Sequence, residues 1–387
     1  MADNFSANQQ LCAMSKQRTT YCRLDLLNNN LVKVSELSGQ VVSGSITVKN
    51  ELDSNFERRN GSLELLVEKS LTEDYFKIAV INKVQVFMVV TDMISKISAQ
   101  YNLGIFLMDN INVSITAEGD NKLSLDLLDI INLFNSTFSG SLTNEIVITE
   151  GANMSETINS IVRNIALMNW QKTKIESSDL LVPSDQTVDQ GSNITDLLKL
   201  LVDLYLDFSF YFDENGFAVY ERLKNRSTDV IIQEFINSDL IISYDSKKSL
   251  SNIKNTVTVL GATQETSADV TVPYQYTYTS TLDDNNPFSV KSLNGQVLLK
   301  VITNDKAQST EACKSESLYN LNKYSNMAQV CTLNILPDYR LLPNRIIILE
   351  ETNRSDFQIP NSRWIINSIN ASLDGSSMTL ELSRLYS

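Results

Sequence analysis

The sequence predicts a mainly β protein with an α+β insert, and three observations lead there. Short apolar segments that alternate with polar residues, set apart by polar or glycine-bearing breaks, fill residues 21–117 and again 230–382. Between these ends, residues 191–221 spell a complete helix followed by a hairpin. The two β-rich ends also present their parts in the same order. The chain is thus expected to divide into a flexible arm at 1–18, a first β unit at 19–150, an α/β middle unit at 151–228 and a second β unit at 229–387 with a long insertion at 262–288.

Residues 1–18 are polar and unpatterned, an arm expected to order against a neighbour. Strands are predicted at 21–27 and 31–37 around the turn Asn28-Asn29-Asn30, then at 41–48, 62–67, 84–90, 103–108 and 111–117. Residues 123–134 begin with alternation and end with a stripe that fits one helical face, so the second half is read as a short helix. Asn153 with Glu156 caps a helix with the stripe Ile158, Ile161, Val162 and Ile165. Ser192 and Asn193 then offer caps, Asp196 places a carboxylate in the first turn, and Ile194, Leu197, Leu198, Leu201 and Tyr205 recur at helical spacing. The period next switches to two: Phe208, Phe210 and Phe212 alternate, Asp213-Glu214-Asn215-Gly216 turns, and Phe217, Val219 and Glu221 return. Strands resume at 230–235, 240–244 and 256–260, and residues 308–324 read as a surface helix. Four more strands, at 330–335, 345–349, 363–369 and 378–382, complete the chain.

Composition narrows the function. Lys plus Arg 32 against Asp plus Glu 46 gives a net charge of −14, which disfavours stable nucleic-acid binding and attachment to anionic membranes, both of which need a basic surface. No apolar run reaches the length of a bilayer span, and the first twenty residues hold no apolar signal core, so a chain made in a cytoplasm without an anchor is expected. Cys12, Cys22, Cys313 and Cys331 lack metal-ligand or scaffold spacing and read as free thiols.

The order of parts repeats. The alternating strand from Val84 has a counterpart from Ile346, with Val84 to Met88 set against Ile346 to Glu350. Gly104-Ile105-Phe106-Leu107 corresponds to Arg363-Trp364-Ile365-Ile366, and the turn glycines Gly119 and Gly375 precede a last strand in each. Either the barrel is duplicated, or antiparallel strands simply look alike.

The segments taken in order support a named resemblance. Val42-Ser43-Gly44-Ser45-Ile46 through Arg58-Arg59 to Leu63-Glu64-Leu65, then Phe76-Lys77-Ile78 through Asn82-Lys83-Val84-Gln85-Val86, and Gly104-Ile105-Phe106-Leu107 resemble the N-terminal region of bacteriophage tail hub proteins. Phe212-Asp213-Glu214-Asn215-Gly216-Phe217, Asn255-Thr256-Val257-Thr258-Val259-Leu260-Gly261, Asn286-Pro287-Phe288 and Trp364-Ile365-Ile366 through Met378-Thr379-Leu380 resemble later segments of the same family. The resemblance implies two tail-tube-like antiparallel β-barrels joined by a helix-containing middle domain, in a baseplate or tail-tip hub that assembles as a homotrimer. It implies as partners the tail tube or distal tail protein and the spike or tail-tip protein; the negative charge adds the expectation of a central conduit that passes DNA or the tape-measure protein without binding it. The location implied is the virion, assembled in the host cytoplasm. Many relatives continue into a cell-wall hydrolase, whereas this chain ends at Ser387 after its last strand; lytic activity is not expected of it.

The residues themselves point to no catalytic, cofactor or metal site. With no histidine, Ser-His-Asp and Cys-His systems and His-based zinc sites are excluded. A carboxylate glycosidase remains conceivable on Asp203, Asp207, Asp213 and Glu214, against the plainer reading of a solvated helix end and turn. Tyr274, Tyr276 and Tyr278 place three rings on one strand face, fit for stacking on sugars in a receptor-binding module or for packing on a neighbour. Arg58-Arg59 reads as a subunit contact to acidic groups or as a solvated turn.

Overall fold

The computed structural model describes residues 5–37, 40–50, 57–67, 83–115, 121–135, 140–165, 170–206, 208–222, 231–249, 253–264, 274–326, 329–355 and 358–386. The first β unit holds β1 (Arg18–Leu27), β2 (Lys33–Glu36), β3 (Gln40–Lys49), β4 (Arg59–Leu66), β5 (Lys83–Asp92), β6 (Ser98–Ile115) and β7 (Asn121–Asp129). The middle carries β8 (Ile146–Ile148), β9 (Thr173–Ile175), β10 (Gln186–Val188), β11 (Phe208–Phe212) and β12 (Ala218–Arg222). The last part holds β13 (Ile231–Ile236), β14 (Ile241–Lys248), β15 (Thr256–Gln264), β16 (Tyr274–Thr281), β17 (Leu299–Thr303), β18 (Gln329–Ile335), β19 (Ile346–Glu351), β20 (Ile359–Ser372) and β21 (Met378–Leu385).

Both ends follow one plan. The strand order β3-β4-β7-β6-β5-β1 in the first unit recurs as β14-β18-β21-β20-β19-β13 in the second. The irregularities recur as well. The β3–β4 ladder slips between Val41 and Ser43, and the β14–β18 ladder slips between Ile241 and Ser243. Walking from these slips across successive ladders, Glu64 faces Ser124 and Ser124 faces Asn112, while Asn334 faces Thr379 and Thr379 faces Asn370. The route ends on Ile111-Asn112-Val113-Ser114 in β6 and Ile369-Asn370-Ala371-Ser372 in β20. A bulge is a positional feature of a sheet, so matched bulges that lead to matched sequence mark a true repeat. Two departures stand out: β1 runs antiparallel to β5 whereas β13 runs parallel to β19, and Val84 aligns with Ile347, one residue beyond the expected Ile346. Gly119 lies outside the described residues.

The two ends are not separate sheets. β20 is long enough to hold β19 along Ile359 to Ile365 and β3 along Ser368 to Ser372, so thirteen strands join in one branched sheet. The described pairings leave that sheet open. Alternation puts one face of strands such as β7 and β18 inside, and the buried residues of both ends merge into one core that includes Leu65, Val86, Phe106, Leu333, Trp364 and Leu380. Ala7–Met14, read from the sequence as arm, is a helix: Ser6 and Gln9 form its capping box, and Cys12 and Ala13 are buried in this core.

The middle unit contains a second repeat. Asn153 and Asn193 each begin a helix, Met154–Ser160 and Ile194–Val202, after a glycine with positive φ, Gly151 and Gly191. Backbone bonds cross between the halves in pairs: Gly151 donates to Val182 and Gly191 to Leu142, while Val182 donates to Ala152 and Leu142 to Ser192. Leu197, Leu198 and Leu201 bury with Phe208, Phe210 and Phe212 as the spacing predicts. The stretch at 123–134 is strand β7 followed by the 3₁₀ turn Ile130–Phe134, which Asp129 caps. The strand at 256–260, expected in the second β unit, instead centres a separate sheet ordered β16-β15-β17, covered by the helix Thr310–Asn326.

Candidate functional site

A buried polar arrangement lies where the middle unit meets the first β unit, and Arg58 and Arg59 build it. Neither is a solvated turn residue: they are 8% and 3% exposed. The two backbone N–H groups donate to Asp129 Oδ2 at 3.1 and 2.9 Å, and Asp129 Oδ1 accepts from Ile131 at 3.3 Å. The Arg59 guanidinium donates to the Phe212 carbonyl and pairs with Glu214 at 3.2 Å. The Arg58 guanidinium lies 3.7 Å from the centre of the Tyr211 ring. The partners of the two guanidinium groups come from the hairpin β11–β12 and its turn, whereas Asp129, at the end of β7, holds the backbone, so the acidic contact that the sequence offered between subunits is made within the chain. Burial dominates the electrostatics. It pushes the Asp129 carboxyl up to about 6 against the nearby Arg59 charge, raises Tyr211 to about 12 and lowers Arg58.

The turn is shaped for this junction. Asp213 Oδ1 accepts from the N–H groups of Asn215 and Phe217, and Asn102 in β6 donates to the Glu214 carbonyl at 2.8 Å. Gly216 has φ +75°, and a Cβ there would meet Leu31 Cδ1 at 2.7 Å. The left-handed φ favours glycine, and any larger residue would make Leu31 shift.

The carboxylates considered for glycoside cleavage are tied to separate cations. Asp203 pairs with Lys306 at 3.3 Å, Asp213 with Lys174 at 2.6 Å, and Glu214 with Arg59. Asp207 lies outside the described residues. Each of these three acids ties its own element to another through a different cation. Of the tyrosine stripe, Tyr276 and Tyr278 pack on the core under the helix Thr310–Asn326, and Tyr274 meets Tyr276 edge-on at 5.5 Å. The cysteines are free thiols, and burial raises Cys22 and Cys331 to about 12. Among the described residues no group of three or more His, Cys, Asp or Glu could hold a metal, and no helix is long and apolar enough to cross a membrane.

No protein-family model and no curated protein sequence matches the chain. Its likeness is to solved structures. The tail protein of Neisseria meningitidis MC58 matches with a TM-score of 0.60 at 8% identity, over 94% of this chain and 96% of the other. The 43 kDa tail protein of prophage MuSo2 from Shewanella oneidensis matches with a TM-score of 0.55 at 12% identity, over 94% and 98%. A chain of the PdpA–VgrG complex of Francisella matches with a TM-score of 0.51 at 10% identity, over 97% of this chain and 60% of that one. The chain has the mainly antiparallel β fold of phage tail proteins.

Proposed function

We propose that the chain is a structural hub of a phage tail tip or baseplate, or of a phage-like injection particle, in which three copies form a ring. The observation that carries this reading is the repeat of six strands with matched ladder slips. Two like modules per chain give three chains six positions around one axis, so a trimer can meet a sixfold tube on one face and a threefold spike on the other. In this reading residues 19–150 and 229–387 are two tube-like barrels and 151–228 joins them.

The role is mechanical rather than enzymatic. Support comes from the separate ion pairs of the carboxylates and from the absence of histidine in the sequence. The partners are the tail tube or distal tail protein on one side and the spike or tail-tip protein on the other, with tape-measure protein and DNA passing through. A net charge of −14 fits a conduit that repels phosphate and does not retain it.

The mass of the purified chain in solution tests the reading. A trimer at micromolar concentration is expected, with no salt-sensitive retention of DNA. A monomer that fails to bind tail tubes would remove it.

A further inference from the structure

We propose that β14 and the outer half of β6 form the joint between neighbouring copies of this chain, repeating between chains the joint that β3 and β20 make within one. The inference rests on the trimeric reading and supplies its contact surface. Within the chain, the first module offers β3 as a donor edge, and the second receives it on the part of β20 that extends past β19. Each half of that joint has a counterpart left over. The counterpart of β3 is β14, which pairs with β18 on one side and with no described strand on the other. The counterpart of the receiving segment is β6 beyond Phe106. There β5 has ended, and β7 is the one described strand alongside.

The register follows from the matched slips. Inside the chain Ile369 faces Val48, Asn370 faces Thr47, Ala371 faces Ile46 and Ser372 faces Ser45. Carried to the counterparts, Ile111 faces Lys248, Asn112 faces Lys247, Val113 faces Ser246 and Ser114 faces Asp245 of the next copy. The chemistry agrees with this placement. Lys247 and Lys248 are exposed at the end of β14, while the receiving side carries Asp109 and Asp126, which face each other across β6 and β7. Lysine on an open edge deters indiscriminate strand pairing, and in an acidic chain it favours an acidic acceptor. On the receiving side Val113 is 36% exposed. The intrachain joint includes the bond from Asn370 Nδ2 to Thr47 Oγ1 at 2.7 Å, and Asn112 stands ready at the same ladder position of β6. A joint between unlike edges is heterologous, so it propagates from copy to copy and stops only by closing a ring.

The test is a cysteine pair, Val113→Cys with Ser246→Cys, on strands set opposite each other at a separation that a disulfide can span. Mild oxidation of the purified double variant is expected to give covalent dimers and trimers on a denaturing gel. The two single variants and the unaltered chain should give none. Because either substitution could impair folding, hydrogen exchange of the unaltered oligomer provides a second reading, with the amides of 111–114 and 245–248 slowed to the level of the β3–β20 ladder. A trimer that neither cross-links through this pair nor protects these amides overturns the joint and leaves the trimeric reading standing. A chain that stays monomeric at micromolar concentration and fails to bind tail tubes removes both.

Discussion

Arg59 and Asp129 show how much of the junction rests on two charged side chains. Replacing Arg59 by Ala leaves the Phe212 carbonyl and Glu214 without their buried cation. Losing these charge-assisted bonds at a half-buried site costs roughly 1.5–3 kcal/mol, readable as a lowered urea midpoint. Asp129 has the opposite relation to acid from most carboxylates. Its folded-state value of about 6 lies above the ordinary 3.8, so its contribution to stability is full below the unfolded value and is lost as pH rises through the folded one. The unaltered chain should therefore lose on the order of 3 kcal/mol relative to Asp129→Asn between about pH 4 and about pH 7. Parallel urea titrations of the two proteins check the sign. None of this was legible beforehand, because adjacent arginines before a strand read alike whether they face water or a hairpin more than 150 positions away. What separates the two cases is a partner, and the partner is not local.

Elements built from neighbouring residues were legible. The helix Ile194–Val202 and the hairpin β11–β12 announce themselves through caps, a switch of period and an Asn-Gly turn, all within about one supersecondary unit. Leu198→Ala should cost about 2–5 kcal/mol, because its side chain is wholly enclosed; thermal unfolding reads the loss. The repeat inside the middle unit went unseen, since its signature is a pair of caps and glycines rather than an apolar stripe. It makes a sharp expectation. Gly151 and Gly191 have φ of +80° and +88° with open space where a Cβ would go, so Gly151→Ala and Gly191→Ala should cost the same roughly 1–2 kcal/mol of left-handed strain. A large cost at one position alone would mean that the halves are not equivalent. The helix Ala7–Met14 was missed for a different reason: its short polar sequence is held by Ser6, Gln9 and burial of Cys12, and only the capping box is visible in sequence.

At the scale of the whole molecule, the order of strands was readable and their joining was not. Alternation tells which face of a strand is buried but not which strand lies next to it, and the β3–β20 pairing links residues more than 300 positions apart. Because both modules share one core, and Leu27 and Ile105 of the first also enter the core of the middle unit, the described parts should unfold together. The two tryptophans report on this, Trp170 from the middle core and Trp364 from the shared one. Single-tryptophan variants, Trp364→Phe and Trp170→Phe, should give urea transitions with coincident midpoints. Separate midpoints would show that the middle unit is only loosely coupled to the sheet.

The β3–β20 ladder also has a mechanical grain. Its bonds lie across the strands, so a pull along the strands strains all five residue pairs from Ser368 to Ser372 at once, whereas a pull across them opens the pairs one after another. The seam between the modules should thus resist sliding far better than peeling. Single-molecule extension with handles placed along or across the strands would measure that anisotropy as two distinct rupture forces.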